Sequence, residues 1–207
     1  MSSVPAAAGF DSFFRQPGAH AGRGKFLSRL FGIFSEEIVR IWARDPRAPY
    51  EDLGRPTVLH EGRRSTLDYC FRCRSTGKVF VVEQKCEIEY QNYRYLTLER
   101  LDQLDHHAKP AFSAFLAAAR PDGGVSVQIA GQAVVADGAI LMWGAVSEQG
   151  REAVLAATGL HDVLALADIV AQCAAWKPDG YESLIADRAA WSGALFQFLA
   201  GDELIGR

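Results

Sequence analysis

Apolar residues recur at three- and four-residue spacing through "KFLSRLFGIFSEEIVRIWAR", at Leu27, Leu30, Phe31, Phe34, Ile38, Ile41 and Trp42. That spacing predicts an amphipathic helix, stopped by the following "DPRAP". The period then changes. "PTVLHEG", "STLDYCFRCRS" and "VFVVEQKCEI" are short runs rich in β-branched and aromatic residues, the last two joined through "STGK", and they predict three strands. Helical spacing returns through Tyr95, Leu98, Leu101 and Leu104, and continues in "PAFSAFLAAAR" after a proline expected to kink or restart it. Two more strands, "GVSVQIAG" and "QAVVADGAILMWGAVS", meet around Gly131. The tail predicts helices over "EQGREAVLAATG", over "LHDVLALADIVAQCAAW" closed by Lys177-Pro178-Asp179-Gly180, and over "YESLIADRAAWSGALFQFLAGDEL". This order implies an α/β fold in which a mixed central β-sheet is flanked by helices, with extra helices at the C-terminal end.

One strand ends in the wrong chemistry for a core. In "KVFVVEQK", alternation places Val79, Val81, Glu83 and Lys85 on one face, so an apolar row turns polar at its end. Pairing the two strands around residues 76 and 77 sets Asp68 opposite about residue 85, within reach of Glu83 and Lys85. Two carboxylates and a lysine then share one place. Facing carboxylates repel unless a cation lies between them, and a hard divalent ion such as Mg²⁺ takes oxygen ligands at about 2.0–2.1 Å. Such a centre suits phosphodiester hydrolysis: the ion polarises the phosphoryl oxygen and acidifies its water, and the lysine positions the water or neutralises developing charge.

Asp68, a hairpin, and Glu83-Gln84-Lys85 at the end of an apolar strand resemble the D…(D/E)-x-K signature of the PD-(D/E)xK nuclease superfamily. Leu67 stands where that signature has its proline. The resemblance covers about residues 26–140 and implies a restriction-endonuclease-like core of helix, three strands, helix and strand. "QNYRY", Gln91 to Tyr95, looks like the Q-x-x-x-Y motif of the RecB and λ-exonuclease-like branch, carried there on the next helix. By this resemblance Asp68 and Glu83 are metal ligands, Lys85 is the catalytic lysine, Gln91 and Tyr95 support the site, and a first-helix glutamate completes the metal shell. Glu37 borders the apolar stripe near Phe34 and Ile41, whereas Glu36 points away from it, so Glu37 is preferred. The implied activity is a Mg²⁺-dependent deoxyribonuclease, with Mn²⁺ as a substitute and DNA as partner. The alternative is a protein of this fold that no longer cuts and acts in nucleic-acid binding or protein assembly.

Composition bounds these readings. A chain of 207 residues with 49% hydrophobic and 23% charged residues is long enough for one substantial core. The division expected is an N-terminal arm over 1–24, a nuclease-like core over 25–145, and a helical extension over 146–207 packed on the same domain. The net charge of −3 conceals an asymmetry: residues 1–110 hold 17 Lys/Arg against 14 Asp/Glu, and 111–207 hold 5 against 11. A polyanion would approach the first half. Arg63, Arg64, Arg72, Arg74, Tyr93 and Arg94 are the candidates for contacting it, through cations and exposed rings. No membrane-spanning stretch and no signal peptide is expected, which points to the cytoplasm.

The remaining candidates take plainer readings. Cys70, Cys73, Cys86 and Cys173 read as structural thiols, because a C-x-x-C on a strand aims its sulfurs to opposite faces. Asp102 and His106 share a predicted helix turn and are weighed as metal ligands. A solvated helix face is the preferred reading for them and for His107, as for His20, His60 and His161. The tryptophans Trp143, Trp176 and Trp191 read as core or interface anchors. The amphipathic stripe of "LHDVLALADIVAQCAAW" packs on the core by default and offers a homodimer surface second.

Overall fold

The computed structural model describes residues 4–16, 22–85, 87–107, 109–120 and 122–201; Cys86 and His20 lie outside them. Two helices open the chain, α1 (Val4–Phe14) and α2 (Gly22–Arg44). The arm expected over residues 1–24 thus contains a helix, held by Phe14, which is 3% exposed and packs edge-on against Phe10 and Phe31. The apolar stripe of α2 buries Ile38, Val39 and Trp42, and the helix ends before Asp45, whose carboxylate accepts from the backbone and side chain of Arg47.

Strands follow as β1 (Tyr50–Asp52), β2 (Pro56–His60), β3 (Arg63–Thr66), β4 (Tyr69–Cys73) and β5 (Val79–Lys85). Next come a distorted turn α3 (Tyr90–Tyr93), β6 (Thr97–Leu98), a 3₁₀ helix (Leu101–His107) and α4 (Pro110–Ala118). The remainder is β7 (Ser126–Ile129), β8 (Gln132–Val134), β9 (Gly138–Trp143), β10 (Ala145–Val146), α5 (Glu148–Thr158), β11 (Asp162–Ala165), α6 (Leu166–Trp176) and α7 (Tyr181–Ala200).

The central sheet has five strands in the order β1-β4-β5-β9-β11. Its first three strands are antiparallel neighbours, and β9 and β11 add in parallel, so the sheet is mixed and the fold is α/β. One face carries Val81, Leu141 and Trp143 against Phe112 and Phe115 of α4; the other carries Phe80, Val82, Ile140 and Met142 against α2 and α6. A smaller antiparallel sheet, β3-β2-β7-β8, is built from two hairpins. Their two-residue turns, Glu61-Gly62 and Ala130-Gly131, have positive φ throughout, as a right-twisted hairpin requires. Among the described residues, no helix is long and apolar enough to cross a membrane.

Three elements depart from the sequence pattern. "PTVLHEG" is a strand, but of the small sheet; the place beside β4 goes to β1, which the pattern missed. "LHDVLA" is strand β11 rather than the start of a helix. β9 is buried along its whole length, so its second edge needs a backbone partner, and Asp162–Ala165 supplies it. The predicted helix through Tyr95 and Leu104 is absent. Gln91, Asn92 and Tyr93 take left-handed φ values, and Gln103, 1% exposed, supplies what a helical ladder would. Its Oε1 accepts from the N–H groups of Glu99 and Arg100, and its Nε2 donates to the carbonyls of Arg94 and Thr97.

Candidate active site

β4 and β5 pair with Tyr69 beside Val82 and Cys70 beside Val81. One further step sets Asp68 beside Glu83. The sequence expectation, residue 85, was off by two because the turn is centred earlier: Gly77 N–H donates to the Cys73 carbonyl and Cys73 N–H to that of Lys78. A shift of two residues preserves the face, so Asp68 still lies on the side of Glu83 and Lys85. The backbone N–H of Gln84 fixes Asp68 by donating to its Oδ2 at 2.7 Å.

Glu83 is 6% exposed and forms an ion pair through Oε1 with Lys85 Nζ. Its other oxygen, Oε2, is buried without a hydrogen-bond partner among the described residues. A buried carboxylate oxygen with no donor is costly, and such orphans are rare in folded proteins. Burial pushes the Glu83 carboxyl above its ordinary value, and the neighbouring Asp68 charge pushes it further. Burial likewise raises Asp68, the Gln84 N–H opposes this, and Glu36 adds to it. The centre is short of positive charge, although Lys85 and Arg55, 3.7 Å from Asp68 Oδ1, supply some.

The helix glutamates take the opposite places from those expected. Glu37 is ion-paired with Arg188 of α7. Glu36 bridges to Arg40 at 2.9 Å, and its charge acts on both Asp68 and Tyr69. The side of α2 that meets the sheet is marked by buried Ser35, whose Oγ accepts from Gln84 Nε2 at 2.8 Å, while Gln84 Oε1 accepts from the Tyr69 hydroxyl. Ser35 inside an apolar stripe was the one signal in the sequence for this contact. Gln84 thereby ties α2, β4 and β5 together, and neither it nor Arg55 was anticipated.

The downstream pair does not act as a helix face. Gln91 is exposed in a left-handed conformation, and its side chain accepts from Arg94 at 3.5 Å, whereas Tyr95 is buried beside Tyr90, His106 and Trp143. The cationic candidates are also divided. Arg72 and Arg74 lie at the turn end of β4, four to six residues and thus roughly 13–20 Å along the strand from Asp68. Arg74 donates to the Ala43 carbonyl, and Arg72 faces Glu51 at 3.8 Å. Tyr93 packs partly buried against the cluster of Phe14, Ile88 and Leu96, and Arg94 is exposed but ion-paired with Asp102. Arg63 and Arg64 are exposed on β3 with no ion pair among the described residues.

The thiols keep their plain reading: Cys70 is buried, with its pKa pushed up to about 12, while Cys73 is hydrogen-bonded to Ser75. Asp102 is taken by Arg94 and Arg100, and His106 turns instead to Glu87.

No family model, curated protein or solved structure matches the chain. The chemistry of the centre has to be read from its own donors. Asp68 and Glu83 offer only oxygen, which suits Mg²⁺ or Mn²⁺ over softer ions. The unpartnered Glu83 Oε2 and the raised carboxyl pKa values are what a divalent cation would relieve, so these residues fit such an ion.

Proposed function

We propose that the chain is a divalent-metal-dependent phosphodiester hydrolase acting on DNA, with a restriction-endonuclease-like core. The observation that carries this reading is the pairing of Asp68 and Glu83 on one face of the central sheet, with Glu83 Oε2 buried and unpartnered beside Lys85. The succession α2, β1, β4, β5, α4, β9, in which β9 adds in parallel to β5, supports it, since with the small-sheet strands set aside it follows the same order as the helix, three strands, helix and strand that the resemblance implies.

Asp68 and Glu83 would hold the ion. When bound, Mg²⁺ supplies polarisation of a phosphoryl oxygen and an acidified water. Lys85 Nζ donates to Glu83 Oε1 at the carboxylate edge, where it would orient an attacking water by hydrogen bonding. Arg55, more than half exposed, is placed to receive the phosphate beside Asp68. The Gln84 bridge to Tyr69 and Ser35 keeps the ligand strand from moving relative to α2.

Asp68→Ala and Lys85→Ala are expected to abolish Mg²⁺-dependent cleavage of duplex DNA while circular dichroism stays unchanged. Cleavage retained in both variants refutes the assignment. A second reading, an assembly protein of the same fold, draws on α7, which exposes Trp191, Leu195, Phe196 and Leu199. It predicts no cleavage and no Mg²⁺-dependent shift in melting temperature even for the unmodified chain.

A further inference from the structure

Two imidazoles and a carboxylate outside the centre above converge where the chain leaves β5. Glu87 follows Lys85 by two residues, and His106 and His107 end the 3₁₀ helix. Glu87 Oε2 lies 2.8 Å from His106 Nε2, and Glu87 Oε1 lies 3.8 Å from His107 Nδ1. One ligand atom from each of the three residues lies within 4.8 Å of the others. The tertiary fold creates this meeting, since the histidines are 19 and 20 positions from the glutamate.

The rings are held before any ligand arrives. Tyr90 stacks on His106 at 4.2 Å, and Tyr95 crosses it at 5.1 Å. His107 is 5% exposed and packs between Trp143 at 5.5 Å and Phe112 at 5.7 Å. Its Nε2 is buried without a hydrogen-bond partner among the described residues, and its Nδ1 stands beyond hydrogen-bond length from the carboxylate. That gap is too long for a direct bond, yet two ligands of one ion at roughly 2.0–2.1 Å span up to about 4.2 Å. At that separation no hydrogen bond accounts for the way His107 Nδ1 faces the carboxylate. A neutral imidazole is a metal ligand.

We propose that Glu87, His106 and His107 form a second metal site, selective for a borderline first-row ion of the Zn²⁺ type over Mg²⁺. Two nitrogens and one carboxylate are the donors that such ions favour, and three protein ligands leave a position for water or an anion. The His106 side chain, 29% exposed, gives the ion its way in. The site does not depend on the nuclease reading, since its donors are separate from Asp68 and Glu83.

The test is titration of Co²⁺, as a spectroscopic stand-in for Zn²⁺, into the chelator-stripped full chain with Mg²⁺ in excess. One Co²⁺ per chain should bind with visible d–d bands, be displaced by Zn²⁺, and persist in Asp68→Asn. Glu87→Gln and His106→Ala remove direct ligands and should weaken binding by more than the roughly 10–100-fold typical of losing an outer-shell partner. Both side chains are partly exposed, and His106→Ala carries the result alone if Glu87→Gln folds poorly. The proposal is overturned if no bands appear, if Mg²⁺ suppresses them, or if they vanish in Asp68→Asn while surviving in Glu87→Gln.

Discussion

Asp68 and Glu83 are carboxylates that folding makes harder to ionise, because burial removes their water and each charge opposes a neighbour. The native chain therefore holds protons there that the unfolded chain releases. The pair costs stability in full above its raised native pKa values, and the cost is relieved as pH falls toward the ordinary carboxylate range. Asp68→Asn keeps an oxygen for the Gln84 N–H and removes one charge. In metal-free protein near neutral pH it is expected to raise stability by about 1 kcal/mol, or roughly 2–4 °C in melting temperature, while ending cleavage. The gain should shrink as the buffer is taken toward pH 5, and thermal denaturation at both pH values checks it. A destabilised Asp68→Asn at neutral pH would mean that Arg55 and Lys85 already balance the centre.

At the scale of elements, the segment between α3 and α4 shows side-chain chemistry overriding periodicity. Tyr95, Leu98 and Leu104 are spaced for a helix, yet each is buried in the core from an irregular path. Gln103 makes that path affordable by bonding four backbone groups across residues 94–100. Gln103→Leu fits the apolar surroundings but strands those groups. It is expected to cost about 3 kcal/mol or more, some 6–12 °C in melting temperature, and to loosen the 3₁₀ helix that carries His106 and His107. Hydrogen exchange localised to residues 94–107 is the accompanying readout; uniform exchange across the chain would place the defect elsewhere.

Across the described residues of the whole molecule, few cations flank the carboxylates. Arg55, Arg63 and Arg64 are exposed on the stretch leading to Asp68, whereas Arg72 and Arg74 stand at the far end of the hairpin. Three phosphate contacts give a slope of about −3 for log K against log salt. Fluorescence anisotropy of labelled duplex with the Asp68→Asn chain should show that slope, and Arg55→Ala should reduce it by about one. If Arg72→Ala reduces it and Arg55→Ala does not, DNA runs past the turn end instead.

Alternation along β5 already placed Glu83 and Lys85 on one face, and any hairpin register of the right parity brought Asp68 to them, so this much was legible in the sequence. The main helices were legible too, because their apolar spacing and end signals are local: α5 carries Ser147 at its start and Gly159 just past its end. The tertiary structure decided the rest. Which strand stands beside β4, whether "DVLA" extends β9, and whether the charge of Glu36 or of Glu37 acts on Asp68 depend on the faces and backbone edges other elements leave open. So does the meeting of Glu87 with two histidines 19 and 20 residues away. A side chain's face follows from its own strand or helix, but its partners are fixed only when distant surfaces are buried and distant backbone groups satisfied together.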